Sequence, residues 1–365
     1  MILFNDIASQ WKEIEKITLP KLIDLLRTGP YILGSQVEAF EKEFAAYCGS
    51  KYAIGISNGT DGLKLALQYA LSNKKIDKVI LPANGFIADA LAPLYFGKKI
   101  EFVDCDQYYN IDTNILREKF KKDKGNSTVI IVVHLYGQAA NTPEIKKIVP
   151  EAFIIEDCSQ AHGATINGRK VGTFGDIGVF SLYPTKNLGA MGDAGILITN
   201  NENCYKKLLP LRNYGSLDKI NYTEMGYNNR LDEIQALILR EKLPLIDKWI
   251  SKKIALAKVY DAHLKNIKAI EIYKKAPYND GSTYHIYPIK IKKRDQLKLF
   301  LDKKQIQTLI HYPTALHKIG LIKTSKSYPK SEKNSQELLS LPMHPYLTEE
   351  NIKYISDLIK EFIYG

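Results

Sequence analysis

Residues 181–195 read SLYPTKNLGAMGDAG, a stretch that holds one lysine, Lys186. Lysine in a turn can be a solvated charge, ligate an anion, cap a helix C-terminus, or condense with an aldehyde. The apolar run IGVFSL (177–182) precedes it, and glycines follow at 189, 192 and 195. Those glycines predict either positive φ or close approach of the backbone to another group. Two stretches upstream bear on the choice. In IIEDCSQAHGA (154–164) an apolar run ends in Glu156-Asp157, which places a carboxylate at the edge where open α/β sheets bind ligands. In GISNGTDG (55–62) a polar turn feeds a helix, whose first N–H groups and dipole suit one phosphate at Gly59 and Thr60. The spacing there is neither GxGxxG nor GxxxxGK[ST], so a dinucleotide fingerprint and a P-loop are both excluded.

Each feature alone has a plain structural use, as a solvated lysine, a loop cap or an N-capping turn. Together they are the parts that pyridoxal 5'-phosphate (PLP) requires. Its aldehyde needs an amine, its ring nitrogen an acidic partner, and its phosphate a nest of N–H donors.

The elements that must position these residues follow from the pattern of apolar runs. KYAIGI (51–56), VILP (79–82), IEFVD (100–104), TVIIVV (128–133) and FIIED (153–157) read as strands. Helical stretches near 86–96, 112–120 and 142–148 separate the last four, which predicts an α/β layer with a mainly parallel, mixed sheet flanked by helices. Ser35 and Glu38 form a capping-box pattern ahead of Val37, Phe40, Phe44 and Tyr47, and Gly49 closes that helix. IGVFSL and GILIT (195–199) are strand-like, and helices follow near 202–212 and from Leu231 until Pro244 kinks or ends the second. Farther on, TYHIYPIKIK (283–292) and QIQTLIHY (305–312) read as strands and 294–303 as a helix. The expected organisation is a large domain over 1–250, with an N-terminal arm, and a smaller α+β domain over 251–365.

Composition narrows the partners. Of 51 basic residues in 365 only seven are arginines, and the lysines are dispersed, so the net charge of +11 does not point to nucleic acid. Cys48, Cys105, Cys158 and Cys204 are far apart and include no CxxC pair, which argues against a metal site and fits free thiols in a reducing compartment. No signal peptide and no apolar run of spanning length is seen, so a cytoplasmic protein without a membrane partner is expected.

The chain resembles, over essentially its whole length, the DegT/DnrJ-type nucleotide-sugar aminotransferases, PLP enzymes of the aspartate aminotransferase fold. The landmarks are 28–67 (TGPYILGSQVEAF through SNGTDGLKLAL), PANGFIADA (82–90), HLYGQ (134–138), IEDCSQAHGA (155–164), FSLYPTKNLGAMGDAG (180–195), RNYGS (212–216), NNRLDEIQA (228–236) and IHYP (310–313). The resemblance implies that Lys186 holds PLP covalently and then moves the proton. It assigns Asp157 to the ring nitrogen, Gln160 to the ring hydroxyl and Phe86 to the ring face. Gly59, Thr60 and Ser181 would bind the phosphate, with Asn228 from a second subunit, so that a homodimer shares its active sites. Tyr31, Tyr183, Tyr214, Tyr222 and His311 become candidates for the sugar-nucleotide pocket. Gly85 stands where the family often has Thr, which predicts a looser loop around Phe86.

The implied reaction takes the amino group from L-glutamate to a keto-sugar nucleotide. Relatives with histidine at the lysine position are sugar dehydratases, and here the residue is lysine. The tract YPTKNLGAMGDAG is similar to the branch acting on 3-keto sugars, so the expected acceptor is a dTDP-3-keto-6-deoxyhexose. The product would be a 3-amino-3,6-dideoxyhexose for a surface polysaccharide or glycoside. A 4-keto aminotransferase is the alternative within the family, and a non-catalytic PLP-binding regulator a more distant one. A nicotinamide-dependent sugar enzyme would need the glycine fingerprint that is missing.

Overall fold

The computed structural model describes every residue except Lys323. Its elements in chain order are α1 (Ile7–Thr28), α2 (Ser35–Cys48), β1 (Tyr52–Ile56), α3 (Gly59–Asn73), β2 (Lys78–Pro82), α4 (Ile87–Tyr95), β3 (Lys99–Val103), α5 (Thr113–Lys119) and β4 (Thr128–Val133). There follow α6 (Thr142–Ile148), β5 (Phe153–Asp157), a small hairpin of β6 (Thr165–Ile166) and β7 (Arg169–Lys170), β8 (Ile177–Ser181), β9 (Gly195–Thr199), α7 (Glu202–Leu211) and α8 (Glu233–Lys242). The chain ends with α9 (Ile246–Leu264), β10 (Glu271–Ile272), β11 (Tyr287–Lys290), α10 (Arg294–Lys303), α11 (Pro329–Glu337), β12 (Leu338–Leu341) and α12 (Glu349–Tyr364).

Seven strands form one sheet in the order β1-β9-β8-β5-β4-β2-β3. β9 runs antiparallel to both its neighbours, and the remaining pairings are parallel. Helices cover both faces, which is why the strands are continuous apolar runs rather than alternating ones. Along β4, Ile130 and Val132 pack with Leu116 and Ile145 of α5 and α6, while Val129, Ile131 and Val133 pack with Leu63 and Leu67 of α3. That is the two-residue period of a strand dividing its side chains between two cores.

Where the sequence pattern suggests a capping box at Ser35, the structure uses a different device. The N-cap is Gly34, without a side-chain cap. The carboxylate of Glu233, fully buried at the start of α8, accepts hydrogen bonds from the N–H groups of Gly34, Gln36 and Val37 at 2.8–2.9 Å. Gly49 does close α2 in the left-handed conformation, as expected.

α8 stops at Lys242, a short 3-10 turn spans Leu243–Leu245 around Pro244, and α9 then runs unbroken for 19 residues. Ile246 and Ile250 of α9 pack in the core under β8 and β9, whereas Leu256, Tyr260 and Leu264 pack against the three-stranded antiparallel sheet β10-β11-β12. Of TYHIYPIKIK only Tyr287–Lys290 is a strand. QIQTLIHY is not a strand: it makes isolated bridges from Ile306 to Ile2 and from Leu309 to Ser340. Its apolar residues are used for burial between segments rather than for a continuous ladder. All four cysteines are free and buried.

Candidate active site

The parallel register brings the C-terminal ends of the central strands level, with Val133 paired to Asp157 and Asp157 to Val179. Ser181 at the end of β8 pairs with Gly195, which also pairs with Ile56 at the end of β1. A cavity of about 530 Å³ opens at this edge. Of the residues predicted from sequence, Gly59, Thr60, Phe86, Asp157, Gln160, Ser181, Tyr183, Lys186 and His311 all line it.

Adjacent residues on β5 face opposite ways, and this separates the roles of Glu156 and Asp157. Glu156 is fully buried, 2.9 Å from Nε2 of His134, and accepts from the N–H groups of Phe174 and Gly175. Burial raises its pKa, but His134 and the N–H groups of Gly175 and Gly172 hold it below the usual carboxylate range. His134 Nδ1 accepts from Ala140 N at 2.9 Å, which assigns the ring proton to Nε2. Glu156 is thus a pinned structural anion. Asp157 faces the cavity, and its Oδ1 accepts from Ser159 N at 2.9 Å.

Lys186 sits half-buried in the cavity wall. Desolvation lowers its pKa to about 8, although Asp157 and Asp89 favour the charged form. Its loop is anchored on both sides: Lys186 N donates to Tyr183 O, and the side chain of buried Asn187 donates to Thr283 O at 3.0 Å. A second buried lysine, Lys253, has a pKa of about 7, again from desolvation. Its Nζ is already bonded to Asn187 Oδ1 and His285 O, and it does not line this cavity. Lys186 is therefore the amine presented to a ligand. Condensation with an aldehyde needs the neutral amine, so its rate should rise with pH and level off above about 8. A rise that continues toward about 10.4, the ordinary lysine value, would contradict this environment.

At the start of α3 the Asn58 side chain caps Asp61 N at 2.8 Å, which leaves the Gly59 and Thr60 N–H groups without an acceptor among the described residues. Asp61, an acidic neighbour in the first turn, is paired with Lys64 at 2.6 Å. The turn thus offers donors and a helix dipole to an anion with its nearest negative charge compensated. Ser181 N is held by Ser159 Oγ at 3.1 Å, beside Gly59. A Cβ on Gly59 would lie 2.8 Å from Ser181 Cβ, so this cradle closes only around glycine. Gly59→Ala should weaken binding of a phosphate-bearing ligand such as PLP by about tenfold, read by fluorescence titration, because overpacking there costs on the order of 1–3 kcal/mol.

The glycines after Lys186 have no positive φ, and they make room for protein rather than ligand. Gly189 lies against the Pro184 carbonyl, Gly192 against the Gln235 side chain, and Gly195 against the Asn58 backbone, where a Cβ would come within 2.7 Å of the Asn58 carbonyl carbon. Gly195 therefore docks the lysine strand pair directly onto the phosphate-type turn.

Gln160 Oε1 accepts from Tyr136 N at 2.9 Å, and its Nε2 donates to the Tyr312 hydroxyl at 2.8 Å. The Tyr312 and Phe86 rings lie 5.4 Å apart at the cavity mouth. His311 Nδ1 is 2.9 Å from Ser340 Oγ, and desolvation with nearby Lys186 lowers its pKa to about 4, so the ring is neutral. Asn228, Tyr31, Tyr214 and Tyr222 do not join this cavity and are exposed on the surface. Residues that the sequence reading missed are Asp89, Ser159, Tyr312 and His285. Two had a visible signal: Ser159 sits two residues beyond Asp157, and Tyr312 is next to His311.

The arrangement of amine, carboxylate, ring-sized slot and N–H nest fits PLP. The model of the DegT/DnrJ/EryC1/StrS aminotransferase family matches residues 12–360. The chain belongs to that family. As an aminotransferase it is 38% identical to the dTDP-3-amino-3,6-dideoxy-alpha-D-galactopyranose transaminase of Aneurinibacillus thermoaerophilus, over 100% of both chains. It is 34% identical to the dTDP-3-amino-3,4,6-trideoxy-alpha-D-glucose transaminase of Streptomyces venezuelae, over 98% of this chain and 95% of that one. Its fold superposes with a TM-score of 0.94 on the crystal structure of S. venezuelae DesV in complex with a ketimine intermediate, at 33% identity, covering 100% of this chain and 99% of that one. The fold of this aminotransferase is thus the one its sequence resemblance implied, and no helix among the described residues is long and apolar enough to cross a membrane.

Proposed function

We propose that this aminotransferase moves an amino group from L-glutamate to a dTDP-linked 3-keto-6-deoxyhexose, giving a dTDP-3-amino-3,6-dideoxyhexose. The observation that carries the reading is the placement of Lys186, with its lowered pKa, in one cavity with Asp157 and the unpaired N–H groups of Gly59 and Thr60. Bound PLP supplies an aldehyde carbon that accepts the amino group and a ring that takes up electrons when the donor's Cα–H bond breaks. Asp157 would pair with the ring nitrogen, Phe86 would cover one ring face, and Gln160 would meet the ring hydroxyl. Gly59, Thr60 and Ser181 would hold the phosphate.

Lys186 has two tasks. Its amine would hold the cofactor covalently and give way to the incoming donor amine. The released Nζ, neutral in a substantial fraction near pH 7–8, would then take the proton from the donor's Cα and deliver it two bonds away, to the former aldehyde carbon of the cofactor. Its lowered pKa serves both tasks, because a fully protonated lysine is neither nucleophile nor base.

Asn228 and the tyrosines at 31, 214 and 222 are exposed on this chain, and the segment from 214 to 225 also exposes Leu217, Ile220 and Met225. We assign this surface to a homodimer in which Asn228 completes the phosphate site of the other copy, with Tyr31, Tyr214 and Tyr222 near its sugar-nucleotide pocket. Tyr183 and His311 would meet the same substrate from within the cavity. The free thiols suit a cytoplasmic enzyme, and the amino sugar suits a surface polysaccharide or glycoside.

The choice of a 3-keto acceptor is supported by the two transaminase relatives, both named for 3-amino sugars. It is tested by incubating the protein with L-glutamate and either 3-keto or 4-keto dTDP-hexoses, then locating the new amine by NMR. Amination at C3 supports the reading. Amination at C4 alone overturns it.

A further inference from the structure

Asp89 is a polar residue in the site whose chemistry the family roles above leave unexplained. It is the third residue of α4, it is fully buried, and it lines the cavity beside Asp157. Neither of its carboxyl oxygens has a hydrogen-bond partner within ordinary donor–acceptor geometry. An ionised carboxylate left so is costly, since a buried charge needs a counter-charge and donors that reach it. The charged and titratable groups that face Asp89 are Asp157 from β5, Lys186 from the loop after β8, and the Tyr312 hydroxyl from the 310–313 segment. Burial and the neighbouring Asp157 outweigh the Phe86 N–H and the attraction of Lys186, and they push the Asp89 pKa well above the carboxylate range. A protonated Asp89 has one proton to donate, and the carboxylate nearest to receive it is Asp157.

We propose that Asp89 is a positioning residue of the cofactor site, a carboxylic acid that shares its proton with Asp157 so that the pair carries a single negative charge facing the cavity. One charge matches one protonated ring nitrogen, whereas two adjacent carboxylates would repel each other and turn aside. Gly85 belongs to the same device. A Cβ at Gly85 would stand 3.2 Å from Asp89 Oδ2, closer than ordinary van der Waals contact, so a side chain there would crowd the acid. The glycine that departs from the family pattern thus goes together with the aspartate four residues on. The inference rests on Asp157 serving the ring nitrogen of PLP, and its test separates the two.

The first measurement uses cofactor-free protein and is independent of that reading. Infrared difference spectra between wild type and Asp89→Asn at pH 7 should show a protonated carboxyl carbonyl band that the variant lacks. Absence of that band, or its persistence in the variant, would overturn the proposal. The second measurement is PLP affinity by fluorescence titration. Asp89→Asn keeps an N–H donor toward Asp157 and should bind within about threefold of wild type, while Asp89→Ala should bind about tenfold more weakly, the scale of a lost hydrogen bond to a charged group. Equal losses in the two variants would show that Asp89 does not act by donating. If instead Asp157 does not serve the ring nitrogen, the band is still present in wild type and lost in Asp89→Asn, but PLP affinity is unchanged in both variants.

Discussion

Lys186→Ala should fold normally and lose transamination by at least about 10⁴-fold, because in the proposed mechanism one side chain supplies both the covalent anchor and the proton carrier. No other described amine can take over. Lys253, the other buried lysine of strongly lowered pKa near the site, is bonded to Asn187 and to the His285 carbonyl. Lys242 is likewise occupied by Gln10 and by the Gly189 carbonyl. The variant removes a half-buried cation that has no ion-pair partner among the described residues, so the fold should lose little. Single-turnover measurement of 2-oxoglutarate formation from L-glutamate isolates the first half-reaction. A residual rate within tenfold of wild type would mean that another group moves the proton.

Asp157→Asn should have the second largest effect, lowering kcat/KM for L-glutamate by about 10²–10³-fold, the scale of removing one preorganised electrostatic partner. The amide keeps the shape, and its oxygen can still accept from Ser159 N, where Asp157 Oδ1 now does. What it loses is the negative charge that would keep the ring nitrogen protonated. The loss should therefore fall on kcat more than on donor binding. Activity within threefold of wild type would remove Asp157 from this role, and a change confined to KM would make it a binding group instead.

The strands were legible because a sheet covered on both faces needs uninterrupted apolar runs, and TVIIVV at 128–133 is buried at every position. Lys186 and Asp157 stood out in the sequence because PLP needs an amine and an acidic partner, and the structure places both in one cavity. What escaped the sequence was mostly long-range. Glu233 caps α2 from nearly 200 positions away, and nothing local to Ser35 distinguishes that from a capping box. α1 was read only as an arm: Pro20 interrupts its pattern, and Ile17, Leu19, Ile23 and Leu26 are exposed rather than buried on one stripe. The glycines at 189, 192 and 195 advertised a close approach, but only the packed structure shows that they approach protein. Asp89 lies inside the PANGFIADA stretch, where a lone carboxylate in a first helical turn looks like an ordinary dipole contact. Its isolation becomes visible only when burial and partners are known.

The most direct test of the account is to reduce the PLP-loaded protein with borohydride, digest it, and locate the added cofactor mass by peptide sequencing. One reduced linkage is expected, on the peptide containing Lys186, and none in Lys186→Ala. Cofactor found instead on Lys253 or Lys242, or no covalent cofactor at all, would contradict it.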